Sequence, residues 1–354
     1  MKSLGLIRIG SIKIALILCA AAMLVVSAGA QTAPTTIFGK GGINPLGVRQ
    51  GTLGSCYFHS SIAAIARSNP DLIRNALSGN AQTGFKVQFG YGPSEIVFPE
   101  DVIFARTHNY DVSDGPWVAI LLRGYAQLLL RDSISVAIDD APPIFALVKP
   151  MAQSALDQSG PLLLAYDRAI RLVIHQDGHF DEASLKAALI EQFAALHIPP
   201  ATVELLNSFL DSTGVFNAIA KTAFENAELF GAYHTVSRGG VPSTVFFAFE
   251  GKGHRNGADT DNADLLVQLE NVHNGTLAMA AGTSPTGPKP SADVLAAASK
   301  PDWYVPGHAY TVLDWDAAQQ LVTLRNPWGQ NPDPDGVFTL PLTAFRKAYS
   351  RYFY

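Results

Sequence analysis

The chain has only two cysteines in 354 residues, Cys19 and Cys56, and one of them falls in a segment that the mature protein is not expected to keep. Cys19 lies within an uncharged, largely apolar run, Ile14 to Val26, which follows Lys2, Arg8 and Lys13 and leads into Ser27-Ala28-Gly29-Ala30. Basic residues, a short apolar run and small residues, in that order, make an export leader with a cleavage site after Ala30. The run is too short for a comfortable membrane span. An uncleaved signal anchor is the other reading. Removal of residues 1–30 leaves Cys56 as the only thiol. Neither an intrachain disulfide nor an all-cysteine metal site can then hold the fold. Burial of apolar side chains has to do so, and 48% hydrophobic against 16% charged residues suits an ordered globular chain of this length.

Charge narrows the partners. The formal net charge is -5, and loss of the three leader cations takes it to -8. No Lys/Arg-rich run occurs, so nucleic acid, which requires basic surface, is not expected as a partner. The leader is expected to take the protein out of the cytoplasm, secreted or periplasmic, and after its cleavage no stable membrane span is expected.

A free thiol in an exported protein is open to oxidation. It is either inert and buried or it has work to do, and its neighbours decide between the two. A Gly-rich turn, Gln50-Gly51-Thr52-Leu53-Gly54, leads into a helical pattern from Ser55 or Cys56 to about Arg67, stopped by Ser68-Asn69-Pro70. A cysteine at a helix start has free backbone N–H groups and the positive dipole end beside it, both of which favour a thiolate. The same turn brings amide donors near the sulfur, and Gln50 can add a side-chain N–H to a developing oxyanion.

The thiol needs a base. His59 shares the helix with Cys56 but would crowd its open side. His308 has a better setting at the start of a hairpin whose strands are expected over Ala309–Trp315 and Leu321–Asn326. Pairing symmetric about residue 317 sets His308 opposite Asn326, which could accept the Nδ1–H of the imidazole and hold its tautomer. Trp328 could then cover the pair. A helix is expected near Asp71, strand character over Val87–Phe98, an amphipathic helix over Trp117–Arg131, helices at 181–193, 201–210 and 214–229, a strand over Val245–Glu250, and a short helix or strand over Asn262–Asn271.

Three segments, Gln50 to Tyr57, Gly307-His308-Ala309-Tyr310-Thr311-Val312 and Arg325-Asn326-Pro327-Trp328-Gly329, resemble in order the active-site motifs of the calpain family of cysteine peptidases. Gly41-Gly42-Ile43, Trp117 to Leu122 and Asp335-Gly336-Val337-Phe338 add to the likeness. The resemblance implies an α+β, papain-like, two-lobed protease core, the helical lobe carrying the nucleophile and the sheet-rich lobe carrying His and Asn. Residues 31–48 would be an exposed lead-in, 49–130 the first lobe, 131–230 a helical insertion or elaboration, and 231–354 the second lobe. The catalytic residues would be Cys56, His308, Asn326 and Gln50, acting on protein or peptide substrates through a thioester. Ser55 and Tyr57 stand where the family usually has Asp and Trp, and Ser55 is expected to cap the helix. The separation of 252 residues between Cys56 and His308 exceeds the family's spacing.

No cofactor is required for such chemistry. Calcium enters only as an activator that relatives use. The carboxylates Asp259, Asp261 and Asp264 lack the spacing of a helix–loop–helix calcium site and read as a solvated loop. Two other readings remain: a secreted binding or scaffold protein on the same fold with little turnover, and a thiol amidase or transpeptidase.

Overall fold

Proline and glycine punctuation, more than hydrophobic pattern, sets the elements that frame Cys56. The computed structural model describes residues 36–139, 232–251, 263–300, 302–329 and 335–354, with four isolated positions besides. The expected leader and the helix at 214–229 lie outside those residues, as do the helices at 181–193 and 201–210 apart from the four isolated positions. Helix α1 runs Cys56–Ser68 and stops at Asn69, whose side chain caps α2, Pro70–Ala76, with Pro70 at the position where a missing N–H costs nothing. An antiparallel sheet follows, β1 Leu77–Asn80, β2 Gly84–Val87 and β3 Glu95–Val97, in the order β1-β2-β3. Next come α3, Pro99–Thr107, and α4, Trp117–Asp139. The expectation of an amphipathic α4 is corrected: every residue from Trp117 to Leu128 is buried, Arg123 and Gln127 included, so this is a core helix with no solvent-facing side over that stretch.

After α5, Ala232–Ser237, comes a second correction. The strand expected over Val245–Glu250 is part of α6, Pro242–Glu250. Pro242 opens it and Gly251, at φ 64°, closes it in the left-handed region. Val245, Phe246, Ala248 and Phe249 are its buried stripe, a spacing of three and four that a strand would not give. Helix α7, Asp264–His273, precedes β4, Ala280–Gly282, and α8, Ala292–Ala296. Then follow β5, Ala309–Asp316, β6, Leu321–Arg325, β7, Val337–Pro341, α9, Leu342–Ala348, and β8, Arg351–Phe353. These five strands form one antiparallel sheet in the order β7-β6-β5-β4-β8.

The described residues thus make a mixed α+β arrangement, and Thr35 to Tyr354 form one compact unit. Its buried apolar side chains fall into two clusters. One joins α1–α6 and the three-stranded sheet, and the other joins the five-stranded sheet with α7–α9. Tyr233, Val236, Phe246 and Phe249 belong to the first cluster, so residues 232–250 pack with 49–130 rather than with the chain that follows. The lead-in is not wholly exposed either: Gly47 and Val48 are buried, and Arg325 donates to the carbonyls of Leu46 and Val48 at 3.0 and 2.6 Å. No helix among the described residues is long and apolar enough to cross a membrane.

Candidate functional site

The turn before Cys56 is fixed by how closely it lies against another segment. A Cβ on Gly51 would stand 1.7 Å from the Asn109 carbonyl oxygen, so no other residue fits there. Thr52 N–H donates to that same carbonyl at 2.6 Å, and Gln50 pairs with Asp111 in an isolated antiparallel bridge. Cys56 begins α1 directly after this turn. The Ser55 carbonyl accepts from the N–H groups of Phe58 and His59, both at 3.0 Å, while the Cys56 and Tyr57 amides are turned to the thiol.

Ser55 does not cap the helix through its side chain as expected. Its Oγ lies 3.1 Å from His59 Nδ1 instead. His59 Nδ1 also lies 3.0 Å from the Ser55 carbonyl oxygen, and its Nε2 lies 3.3 Å from Asp111 Oδ1. Ser113 Oγ donates to that carboxylate at 2.5 Å and accepts from Arg49 N–H at 2.7 Å. Ser55, His59, Asp111 and Ser113 are all buried. His59 therefore ties the first turn of α1 to the Asp111 segment that pairs with Gln50, and it is not placed as a base.

His308 sits immediately before β5, after Gly307, whose φ of 63° favours glycine. Its backbone N–H donates to Thr283 Oγ1 at 2.9 Å, and its carbonyl accepts from Thr283 N–H at 2.9 Å. The hairpin register differs from the expected one. Thr311 pairs with Arg325, the ladder shifts between Val312 and Asp314, and the loop spans residues 317–320 with Gln320 at φ 53°. Continued past Thr311, this register sets Asn326 opposite Tyr310, with His308 on the same face one diagonal step away. A diagonal neighbour remains within side-chain reach.

The contact forms at the other ring nitrogen from the one expected. His308 Nε2, not Nδ1, lies 2.9 Å from Asn326 Oδ1. That atom also accepts from the backbone N–H of Trp328 at 3.1 Å, which identifies it as oxygen and makes Nε2–H the donor. Nδ1 has no hydrogen-bond partner among the described residues. The Trp328 ring lies 4.8 Å from the imidazole, and Tyr310 meets it edge-on at 4.9 Å. Burial pushes His308 down to about 4, opposed by the Asn326 hydrogen bond.

Cys56, His308 and Ala309 line one cavity of 540 Å³. Burial pushes the Cys56 thiol up, opposed by the backbone amides of Ala309, Tyr57 and Cys56. The Ala309 amide belongs to the residue after His308, so sulfur and imidazole approach the same stretch of backbone. Asn326 and Gln50 are buried and are not among the residues that line this cavity. Gln50 Nε2 donates to the Leu53 carbonyl at 2.6 Å, which commits one of its two amide hydrogens, and its backbone N–H donates to the Pro327 carbonyl at 2.8 Å.

Sequence reasoning missed Thr283, which fixes the His308 backbone, and Arg325, Asp111 and Ser113, which hold the segments around Gln50. No local motif marks Thr283, Asp111 or Ser113, and Arg325 stands in a quoted motif that gives it no role, because each acts on a residue distant in the chain. Asp259 and Asp261 lie outside the described residues, and Asp264 accepts from the Tyr354 hydroxyl at 3.4 Å. Among the described residues no three His, Cys, Asp or Glu side chains converge as a metal site. No known protein family matches the chain, and no curated protein is significantly similar to it in sequence.

Proposed function

We propose that the chain is a calpain-like cysteine endopeptidase in which Cys56 is the nucleophile and His308 its base. The observation that carries the reading is the shared cavity: Cys56 at a helix start and His308, held by Asn326, line the same space. The two apolar clusters, one mainly helical and one built on the five-stranded sheet, support the papain-like reading of the fold.

In this reading the thiol is neutral at rest, because burial pushes Cys56 up and His308 down. Proton transfer to His308 Nδ1 then accompanies attack instead of preceding it. The sulfur bonds to the peptide carbonyl carbon, and the oxyanion takes hydrogen bonds from the Cys56 N–H and the free hydrogen of the Gln50 amide. The imidazolium returns its proton to the leaving nitrogen, the C–N bond breaks, and a thioester remains. Water, deprotonated by His308, opens the thioester and frees the thiol. Asn326 keeps a proton on Nε2, so that Nδ1 presents its lone pair before each proton transfer. The leader read from residues 1–30 makes this an exported activity.

The test is digestion of a peptide library by the reduced mature protein, with and without calcium, compared with C56A and H308A. The reading expects cleavage that C56A abolishes and H308A lowers by at least about a hundredfold. A folded protein that cleaves nothing in either condition, or cleavage that survives C56A, overturns it.

A further inference from the structure

Neither Cys56 nor His308 explains the far wall of the cavity they share. The sheet register sets Ala309 of β5, Gly282 of β4 and Arg351 of β8 side by side across three strands. One step along the same face stand Thr311, Ala280 and Phe353. This face is turned to α1, since the Thr311 hydroxyl donates to the Ser60 carbonyl at 2.9 Å. Gly282 has no side chain and Ala309 only a methyl, so the row is open where larger residues would fill it. A Cβ on Gly282 would meet the Phe353 ring at 3.2 Å, which makes that ring edge part of the floor. Val241 and Pro242, where α6 begins, give the opposite wall, and Val241 is 37% exposed.

The result is an open cavity with apolar stretches of wall, interrupted by the hydroxyl residues Thr283, Ser284 and Ser350, and with one ion on it. Arg351 is the only permanently charged side chain among the described lining residues. It is exposed and forms no ion pair among the described residues. A guanidinium is a planar fork that holds a carboxylate by two parallel hydrogen bonds, and it repels a substrate cation.

We propose that this cavity is a specificity pocket for an acidic substrate side chain, glutamate ahead of aspartate, with Arg351 reading the carboxylate. The inference rests on the peptidase reading of Cys56 and His308. The methylenes of glutamate lie along the apolar walls and carry the carboxylate out to the guanidinium. Aspartate is shorter and must leave one of those contacts unmade. Because the pocket is open to water, the contact is screened by salt and of moderate strength.

The test uses the mature protein and peptides identical except for Glu, Gln or Lys at each position flanking the cleaved bond in turn. At one position Glu should exceed Gln by about tenfold in kcat/KM, and the ratio should fall toward one at high salt. R351Q should bring the ratio to within about twofold, R351E should favour Lys, and R351K should retain part of the preference. Binding of the Glu and Gln peptides to C56A, followed by fluorescence anisotropy, separates the two claims. If no peptide is cleaved, the peptidase reading fails, yet a Glu preference in binding that R351Q removes still supports the pocket. Equal treatment of Glu and Gln at every position, in cleavage and in binding, overturns it, as does a preference that R351Q keeps.

Discussion

Trp328 packs against His308. Its ring lies 4.8 Å from the imidazole and is itself only half-buried, so replacing it opens the ring to solvent without emptying a core. Burial is the larger cause of the low His308 value of about 4. W328A should therefore move that value up toward the ordinary 6.5. A base is lost when it protonates, so the acid limb of Cys56-dependent peptide cleavage should shift upward by about one pH unit or more in W328A. Rate–pH profiles of the two proteins measure this, and coincident acid limbs contradict it.

Arg325 shows how elements remote in sequence are held at the site. Its guanidinium is fully buried and, among the described residues, bonds only to carbonyls: Asp335 through Nε at 3.0 Å, and Leu46 and Val48 through Nη2. Desolvation, and then the nearby Arg49 cation, pushes it down to about 10. Three acceptors thereby join the end of β6, which precedes Asn326, to the segment that leads to Gln50. R325M should leave those carbonyls without donors and cost about 3 kcal/mol in urea unfolding. A loss below about 1 kcal/mol would mean the bonds hold nothing together.

The elements also show which parts of this arrangement could be read in advance. Helix α1 and the β5–β6 hairpin were legible because Asn69-Pro70 and Asp316-Ala317-Ala318-Gln319 are local stop and turn signals. The register was off by two residues because a bulge and an αL residue leave no distinctive sequence mark. That offset is even, so His308 and Asn326 still share a face, but Nε2 replaces Nδ1. Strand β1 was missed because Ser78-Gly79-Asn80 has no apolar alternation, and α6 was misread because Val245, Phe246 and Phe247 are strand formers that tertiary packing makes helical. Arg351 carried no signal at all, since its meaning depends on the small residues facing it across the sheet.

At the scale of the molecule, the same low His308 value links stability to pH. The folded state releases the His308 proton at about 4 and the unfolded chain at an ordinary 6.5, so the unfolded state binds more protons in between. Stability should rise with pH through that window, and the part due to His308 is lost as pH falls from 6.5 to 4, by at most roughly 3 kcal/mol. H308Q cannot titrate, so the gap between it and the wild type in urea unfolding should narrow between pH 7 and pH 4.5. Parallel curves contradict the burial of a neutral imidazole. The central claim, that Cys56 is a nucleophile served by His308, is tested most directly by intact mass after exposure of the reduced mature protein to a peptidyl epoxide. The account predicts a single adduct on Cys56, absent in C56A and formed at least about tenfold more slowly in H308A. A folded wild-type protein that stays unlabelled, with and without calcium, or that is labelled equally fast without His308, would contradict it.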